Sequence, residues 1–235
     1  LYGNASSMHS LGRDAAAGID WARGMVARLV DAPAEGIYFT SGATESNNTV
    51  FAIFRDLIDE GSSRDRIVLS TVEHPASIET AKYLIGKGYR VDFAPVDHEG
   101  RLDLARLAEL VGDDVCLVSV MVGNNESGTI QPVKEAAAIA HSHGAFFHTD
   151  ATQAIGKIPV SVKDIGADYL SLSGHKFYGP KGIGVLYASP SAPMGPYIHG
   201  GHQEKGMRAG TYNNQAIYGI GKAAELAMAN LQDEH

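Results

Sequence analysis

The chain has 235 residues, 44% of them apolar, and a formal net charge of −8, so it can bury one substantial core, in one large α/β domain or two smaller ones. That acidic balance, with no basic tract or alternating basic and aromatic residues, excludes a general nucleic-acid partner, and any phosphate must be recognised locally. The single cysteine, Cys116, excludes a disulfide framework and a Cys-x-x-Cys zinc site and fits a reducing, cytoplasmic setting, while no apolar run approaches the length of a membrane span.

The chain opens at Leu1 on a turn-rich Tyr-Gly-Asn-Ala-Ser-Ser segment without a charged or apolar leader region, and it reads as the middle of a longer protein. Ile19, Ala22, Val26 and Leu29 at helical spacing predict a helix over Gly12–Leu29. Strands and helices then alternate. Strands are expected over Gly36–Thr40, Arg66–Ser70, Arg90–Ala94, Val115–Val122, Ala145–Thr149 and Tyr169–Leu172. The helices between them are expected over Thr44–Asp59, Ser77–Lys87, Leu102–Val111 and Lys134–His143. Ile183–Tyr187 follows its predecessor too closely for a helical crossover and is expected to run antiparallel to its neighbour. The Gly200–Thr211 stretch has too little apolar pattern for a core element and is expected to be a structured loop. A last helix, Ala216–Leu231, ends on polar Gln-Asp-Glu-His, as though a second domain followed.

Regular alternation and near-continuous apolar strands such as Val115–Met121 predict an α/β fold of three layers, a mostly parallel sheet with helices on both faces. Ligands of such sheets sit beyond the carboxyl ends of the strands. Five polar groups follow predicted strands: Ser41-Gly42-Ala43-Thr44, Glu73-His74, Asn124-Asn125-Glu126, Asp150 with Gln153, and Ser173 with His175 and Lys176.

Most of these have two readings. Ser41-Gly42-Ala43-Thr44 is a phosphate cup at a helix N-terminus, or a turn in which Thr44 caps the helix. It is not a P-loop, and no G-x-G-x-x-G is present. Lys176, in Ser171-Leu172-Ser173-Gly174-His175-Lys176-Phe177-Tyr178-Gly179, is a surface or salt-bridge lysine, or an amine held to condense with an aldehyde, with Ser173 and His175 donating to a phosphate. Asp150, in Phe147-His148-Thr149-Asp150-Ala151-Thr152-Gln153, is a helix cap at the core edge or the carboxylate that pairs a pyridinium nitrogen. Lys176 and Asp150 together suggest the protein's side of pyridoxal phosphate chemistry. His74 is a strand-end imidazole satisfied by backbone, or a flat ring stacked on a cofactor that also relays a proton. Arg208 and Thr211 cap the final helix, or serve a phosphate site shared across a dimer. His141 and His143 complement a helix dipole, Cys116 is an inert core residue, and metal ligation has no support.

In order, Ser41–Asn48, Glu73-His74, Asn124-Asn125-Glu126-Ser127-Gly128, Asp150-Ala151-Thr152-Gln153, Ser173-Gly174-His175-Lys176 and Arg208-Ala209-Gly210-Thr211 resemble cysteine desulfurases, of the class V aminotransferase family. The resemblance runs over essentially the whole chain. It implies a fold-type I pyridoxal phosphate enzyme, with residues 1–235 its large cofactor-binding domain, truncated at both ends and lacking the small C-terminal domain. It implies that Lys176 forms the Schiff base, Asp150 pairs the ring nitrogen, and Gln153 and Asn125 address the ring oxygen or substrate. His74 would stack, and Ala43, Thr44, Ser173 and His175 would form the phosphate cup, completed by Thr211 reaching the partner's cofactor in a homodimer. The implied reaction converts L-cysteine to L-alanine through an enzyme persulfide, with sulfur passed to an acceptor protein for iron–sulfur cluster or thiolation pathways. No cysteine follows Lys176, so the persulfide thiol is expected outside this chain. A selenocysteine lyase, another class V aminotransferase, or a non-catalytic scaffold keeping the same fold are the competing expectations.

Overall fold

The computed structural model describes residues 3–231; Leu1-Tyr2 of the opening segment and the polar end Gln232–His235 lie outside the described residues. The first helix, α1 (Ser10–Leu29), starts two residues before the expected Gly12 because His9, an uncommon capping residue, accepts a hydrogen bond from the Gly12 amide on its Nδ1. The elements then follow as β1 (Ile37–Thr40), α2 (Ala43–Asp59), β2 (Arg66–Ser70), α3 (Pro75–Gly86), β3 (Arg90–Ala94), α4 (Leu104–Leu110) and β4 (Val115–Ser119). After these come α5 (Val133–Ser142), β5 (Phe146–Asp150), α6 (Val162–Ile165), β6 (Tyr169–Ser173), β7 (Gly184–Ala188) and α7 (Asn214–Asn230).

One seven-stranded sheet has the order β1-β7-β6-β5-β4-β2-β3. The pairs β2/β3, β2/β4, β4/β5 and β5/β6 are parallel. The strand after the lysine, β7, runs antiparallel to β6, as its short connection requires, and antiparallel to β1 on its other side. The carboxyl ends of β1, β2, β4, β5 and β6 therefore share one edge. Expected to reach Val122, β4 leaves the regular ladder at Ser119. Its continuation still leans on β5, with the Val120 and Val122 amides donating to the His148 and Asp150 carbonyls.

Alternate strand residues face opposite layers. Ile67, Leu69, Leu117 and Tyr169 pack with Val50, Phe51 and Phe54 of α2 and Ala81 and Leu84 of α3. Val68, Val118, Phe147, Leu170, Leu172 and Val185 pack against α1, α4, α5, α6 and α7. The expected three layers are thus formed. Apolar periodicity does not reveal α6, whose four residues rest on a Ser161 cap, or the 3₁₀ turns Gly174–Phe177 and Gln203–Gly206.

The turn after β1 sits hard against β7. A Cβ on Gly184 would lie 2.5 Å from the Gly42 backbone and 2.8 Å from the Leu172 carbonyl, so only glycine lets these two loops meet. That contact brings the Ser41–Thr44 turn alongside Ser173, and both open into the same crevice.

Candidate active site

A crevice of about 620 Å³ opens at the carboxyl edge of the sheet, lined by Ala43, Thr44, His74, Asn125, Asp150, Gln153, Ser173, His175 and Lys176. These nine residues come from five different connections, and the parallel strands aim them all at one place. The tenth candidate, Thr211, is exposed on the loop before α7 and lies outside the crevice of its own chain.

One end presents uncapped helix amides to the crevice. The residue before α2 is Gly42, which supplies no side-chain cap, so the first amides of α2 are left to a ligand and Thr44 is not the cap. The Ser41 amide donates to Glu45 Oε2 at 2.9 Å. Glu45 in turn is gripped by Arg208, with Nε at 2.9 Å and Nη2 at 3.2 Å. Burial would push the Glu45 carboxyl up, but the hydrogen bonds from Arg208 and Ser41 outweigh it and hold it below its ordinary value. Ser173 Oγ and His175 Nδ1 lie 2.9 Å apart. Partial burial, then the charges of Lys176 and Lys181, push the His175 imidazole down and favour its neutral form. In a chain of net charge −8, this corner places uncapped helix amides and the hydroxyl and imidazole of Ser173 and His175 together, with Lys176 and Lys181 nearby.

Lys176 follows β6 on the 3₁₀ turn Gly174–Phe177, half-buried and facing the crevice. The turn is closed by the Gly179 amide donating to the Gly174 carbonyl at 2.9 Å. A Cβ on Gly179 would come within 2.8 Å of that carbonyl, which explains the glycine after Tyr178. No salt bridge among the described residues claims Lys176, so the salt-bridge reading does not describe it.

Asp150 closes β5 and is 4% exposed. Its Oδ1 accepts from the Thr152 amide at 2.9 Å and its Oδ2 from Asn47 Nδ2 at 2.8 Å. A turn follows rather than a helix, so Asp150 is not a helix cap. His74 caps α3, accepting from the Ala76 amide on Nδ1 at 3.1 Å, so its backbone-satisfied reading holds, and the residue also lines the crevice. Asn124 is the loop's anchor, donating to the Val72 carbonyl and accepting from the Glu126 and Ser127 amides, which leaves Asn125 at the crevice wall.

Met121, Lys181 and Gly182 also line the crevice and carried no sequence signal; Glu45, Glu126 and Thr152 line it too and lie within the motifs above, where they were assigned no role. Glu45 had a signal of its own, a carboxylate in the first helical turn able to reach back to the turn amide. The last helix is capped by Asn213, leaving Arg208 to Glu45. His141 and His143 pair with Asp168 and Asp113 at 2.9 and 3.1 Å rather than serving the helix dipole alone. Burial pushes the Cys116 thiol up to about 12, an inert state. Among the described residues no cluster of three His, Cys, Asp or Glu side chains could hold a metal.

Glu73 and His148 flank Asp150 below the crevice floor. Glu73 Oε1 accepts from Ser70 Oγ at 2.6 Å and the Met121 amide at 2.8 Å. Burial, reinforced by the Asp150 charge, pushes its carboxyl up to about 8 against those hydrogen bonds. His148, bridged to Ser119 and Ser171, is pushed down to about 4 by burial. Near neutral pH both are therefore uncharged in the folded chain. Glu73 ionises on unfolding, so raising pH through its folded value favours the unfolded chain, whereas the His148 contribution is complete once pH exceeds about 6.5. Between about pH 6.5 and 8 stability should fall by up to about 1.4 kcal/mol per pH unit from Glu73 alone. Glu73→Gln, which keeps the acceptor, should flatten that slope in urea unfolding measured across the window; an unchanged slope would show Glu73 to be ionised in the folded chain.

The chain matches the family description Aminotransferase class-V over residues 1–234. It is 48% identical over 230 residues to a cysteine desulfurase of Sinorhizobium fredii, covering 97% of this chain and 59% of that protein. With the cysteine desulfurase NifS of Azotobacter vinelandii it shares 43% identity, covering 100% of this chain and 58% of the relative. The solved structure of a NifS-like protein superposes with a TM-score of 0.94 at 41% identity, over 99% of this chain and 64% of that one. The chain thus spans somewhat over half the length of the curated relatives it matches. By sequence and by fold together, it belongs to the class-V aminotransferase family.

Proposed function

We propose that the crevice binds pyridoxal 5'-phosphate and that the complete protein is a cysteine desulfurase, converting L-cysteine to L-alanine and passing sulfur to an acceptor protein through a persulfide. The carrying observation is the meeting of an unpaired amine, a buried carboxylate and a helix-end anion cup in one crevice. The donor set fits the cofactor. Both Asp150 oxygens take one hydrogen bond from uncharged donors and keep lone pairs for a ring N–H, and the α2 amides lack a side-chain cap. When bound, the cofactor supplies an aldehyde that exchanges amines and a ring that accepts electrons from the substrate Cα.

The chain's own residues do the rest. Ala43 and Thr44, with Ser173 and His175, hold the phosphate; Asp150 keeps a proton on the ring nitrogen; His74 presents its flat face. Asn125 and Gln153 address the ring oxygen or the substrate. Lys176 anchors the cofactor and, once displaced by the substrate amine, carries the Cα proton. The only cysteine here is buried in β4, so the sulfur-accepting thiol belongs to a part of the protein outside these residues. In this reading residues 1–235 form the large cofactor-binding domain of a cytoplasmic homodimer, and the exposed Thr211 reaches the partner's phosphate. No helix among the described residues is long and apolar enough to cross a membrane. The names of the relatives favour desulfurase over the other class V activities.

Borohydride reduction of the cofactor-loaded complete protein, followed by peptide mapping, tests this. The cofactor should be fixed on Lys176; label on another lysine, or no label, would overturn the reading.

A further inference from the structure

The buried face of α2 carries one polar side chain that reaches the floor of the crevice. Asn47 is fully buried, and its Nδ2 lies 2.8 Å from Asp150 Oδ2 and 3.3 Å from Ser77 Oγ on α3. With the Thr152 amide on Oδ1, the carboxylate is held at both oxygens and cannot rotate without losing a bond. Both donors are uncharged. Among the described residues no salt bridge involves Asp150, and its ionisable neighbours beneath the floor, Glu73 and His148, favour their neutral forms near pH 7. An arginine or lysine at position 47 would neutralise Asp150 before any ligand arrived, and an apolar residue would leave a buried oxygen bare.

We propose that Asn47 is a positioning residue, fixing the Asp150 carboxylate in its crevice-facing orientation through an uncharged donor rather than a competing cation, so that it can hold a proton on the cofactor's ring nitrogen. The proposal rests on the cofactor reading above. It gives α2 two roles, since its uncapped first turn would receive the phosphate while its second turn sets the Asp150 carboxylate. Joining α2 to α3 does not require the contact with Asp150, because the Asn47–Ser77 bond alone would serve for that.

The complete protein, loaded with pyridoxal phosphate carrying ¹⁵N in the ring, allows a direct readout in the ring-nitrogen chemical shift across about pH 6 to 9. Wild type should stay protonated throughout. Asn47→Asp, nearly isosteric, puts a second carboxylate on Asp150, and the two then share a proton. Asn47→Ala removes the donor. Both should bring ring deprotonation into the pH range and weaken cofactor binding about tenfold, the scale of losing a supporting hydrogen bond. Ser77→Ala, which cuts only the tie between helices, should leave the shift unchanged. Circular dichroism of Asn47→Asp establishes that the fold is retained should Asn47→Ala fail to fold. If Asp150→Asn alters the shift while both Asn47 variants match wild type, the proposal falls alone. If Asp150→Asn also matches wild type, the cofactor reading falls and takes the proposal with it.

Discussion

Lys176→Ala in the complete protein should lower the rate of L-alanine formation from L-cysteine by about 10³-fold or more, since one side chain must both anchor the cofactor and carry the Cα proton. The thermal unfolding midpoint should stay close to wild type. Lys176 is half-buried at the crevice wall and takes part in no salt bridge among the described residues, so its removal opens solvent-filled space without a core cavity or an orphaned buried charge. Two controls separate chemistry from binding. Lys176→Arg keeps the positive charge beside His175 but remains protonated at any working pH, so it should be as inactive as alanine. A small added amine such as methylamine should restore part of the alanine-variant rate in proportion to its free-base concentration. A Lys176→Ala protein with near-wild-type turnover would remove lysine from the proton transfer altogether.

The crevice was legible in the sequence because a parallel sheet turns a one-dimensional rule, polar residues just after apolar strands, into a three-dimensional coincidence. Ser41–Thr44, His74, Asn125 and Lys176 each follow a strand and Asp150 ends one, so all five lie on one edge of the sheet, where the strand order brings them together. The edge pairing of β7 with β1 was not legible, because nothing local in Ile37–Thr40 records its neighbour. Asn47 was hidden for a different reason. Within Ser46-Asn47-Asn48 the two asparagines are chemically identical, and only helical phase against α3 and β5 sends Asn47 to Asp150 while Asn48 bonds back to the Thr44 carbonyl. Glu73 and His148 were visible as polar residues near strand ends. Their neutrality was not, since it comes from burial, reinforced for Glu73 and opposed for His148 by the Asp150 charge, rather than from residue type.

The loop from Gly200 to Asn213 is ordered without an apolar pattern, and a buried ion pair explains how. Glu204, its side chain 2% exposed, takes both guanidinium nitrogens of Arg23 at 2.7 and 2.8 Å and also the Phe39 amide at 2.8 Å. The same guanidinium lies 4.8 Å above the Phe39 ring and donates to the Ile37 carbonyl, so α1, β1 and the loop join at one point. Glu204 and Lys205 adopt φ values of 48° and 58°, a left-handed backbone that non-glycine residues keep only when their surroundings hold them there. Arg23→Met should therefore lower the unfolding free energy by about 3–5 kcal/mol, because it strands the Glu204 charge in the interior. Glu204→Gln added to Arg23→Met should recover much of that loss: the amide oxygen still accepts from Phe39, and no bare charge remains. A double-mutant cycle in urea should then give a coupling energy of up to about 3 kcal/mol, whereas simple additivity would mean the pair is not the anchor. The effect should reach the crevice as well. Arg208 lies on this loop and grips Glu45 beside the anion cup, so Arg23→Met should weaken pyridoxal phosphate binding at temperatures where the protein is still folded, and the added Glu204→Gln should strengthen it again.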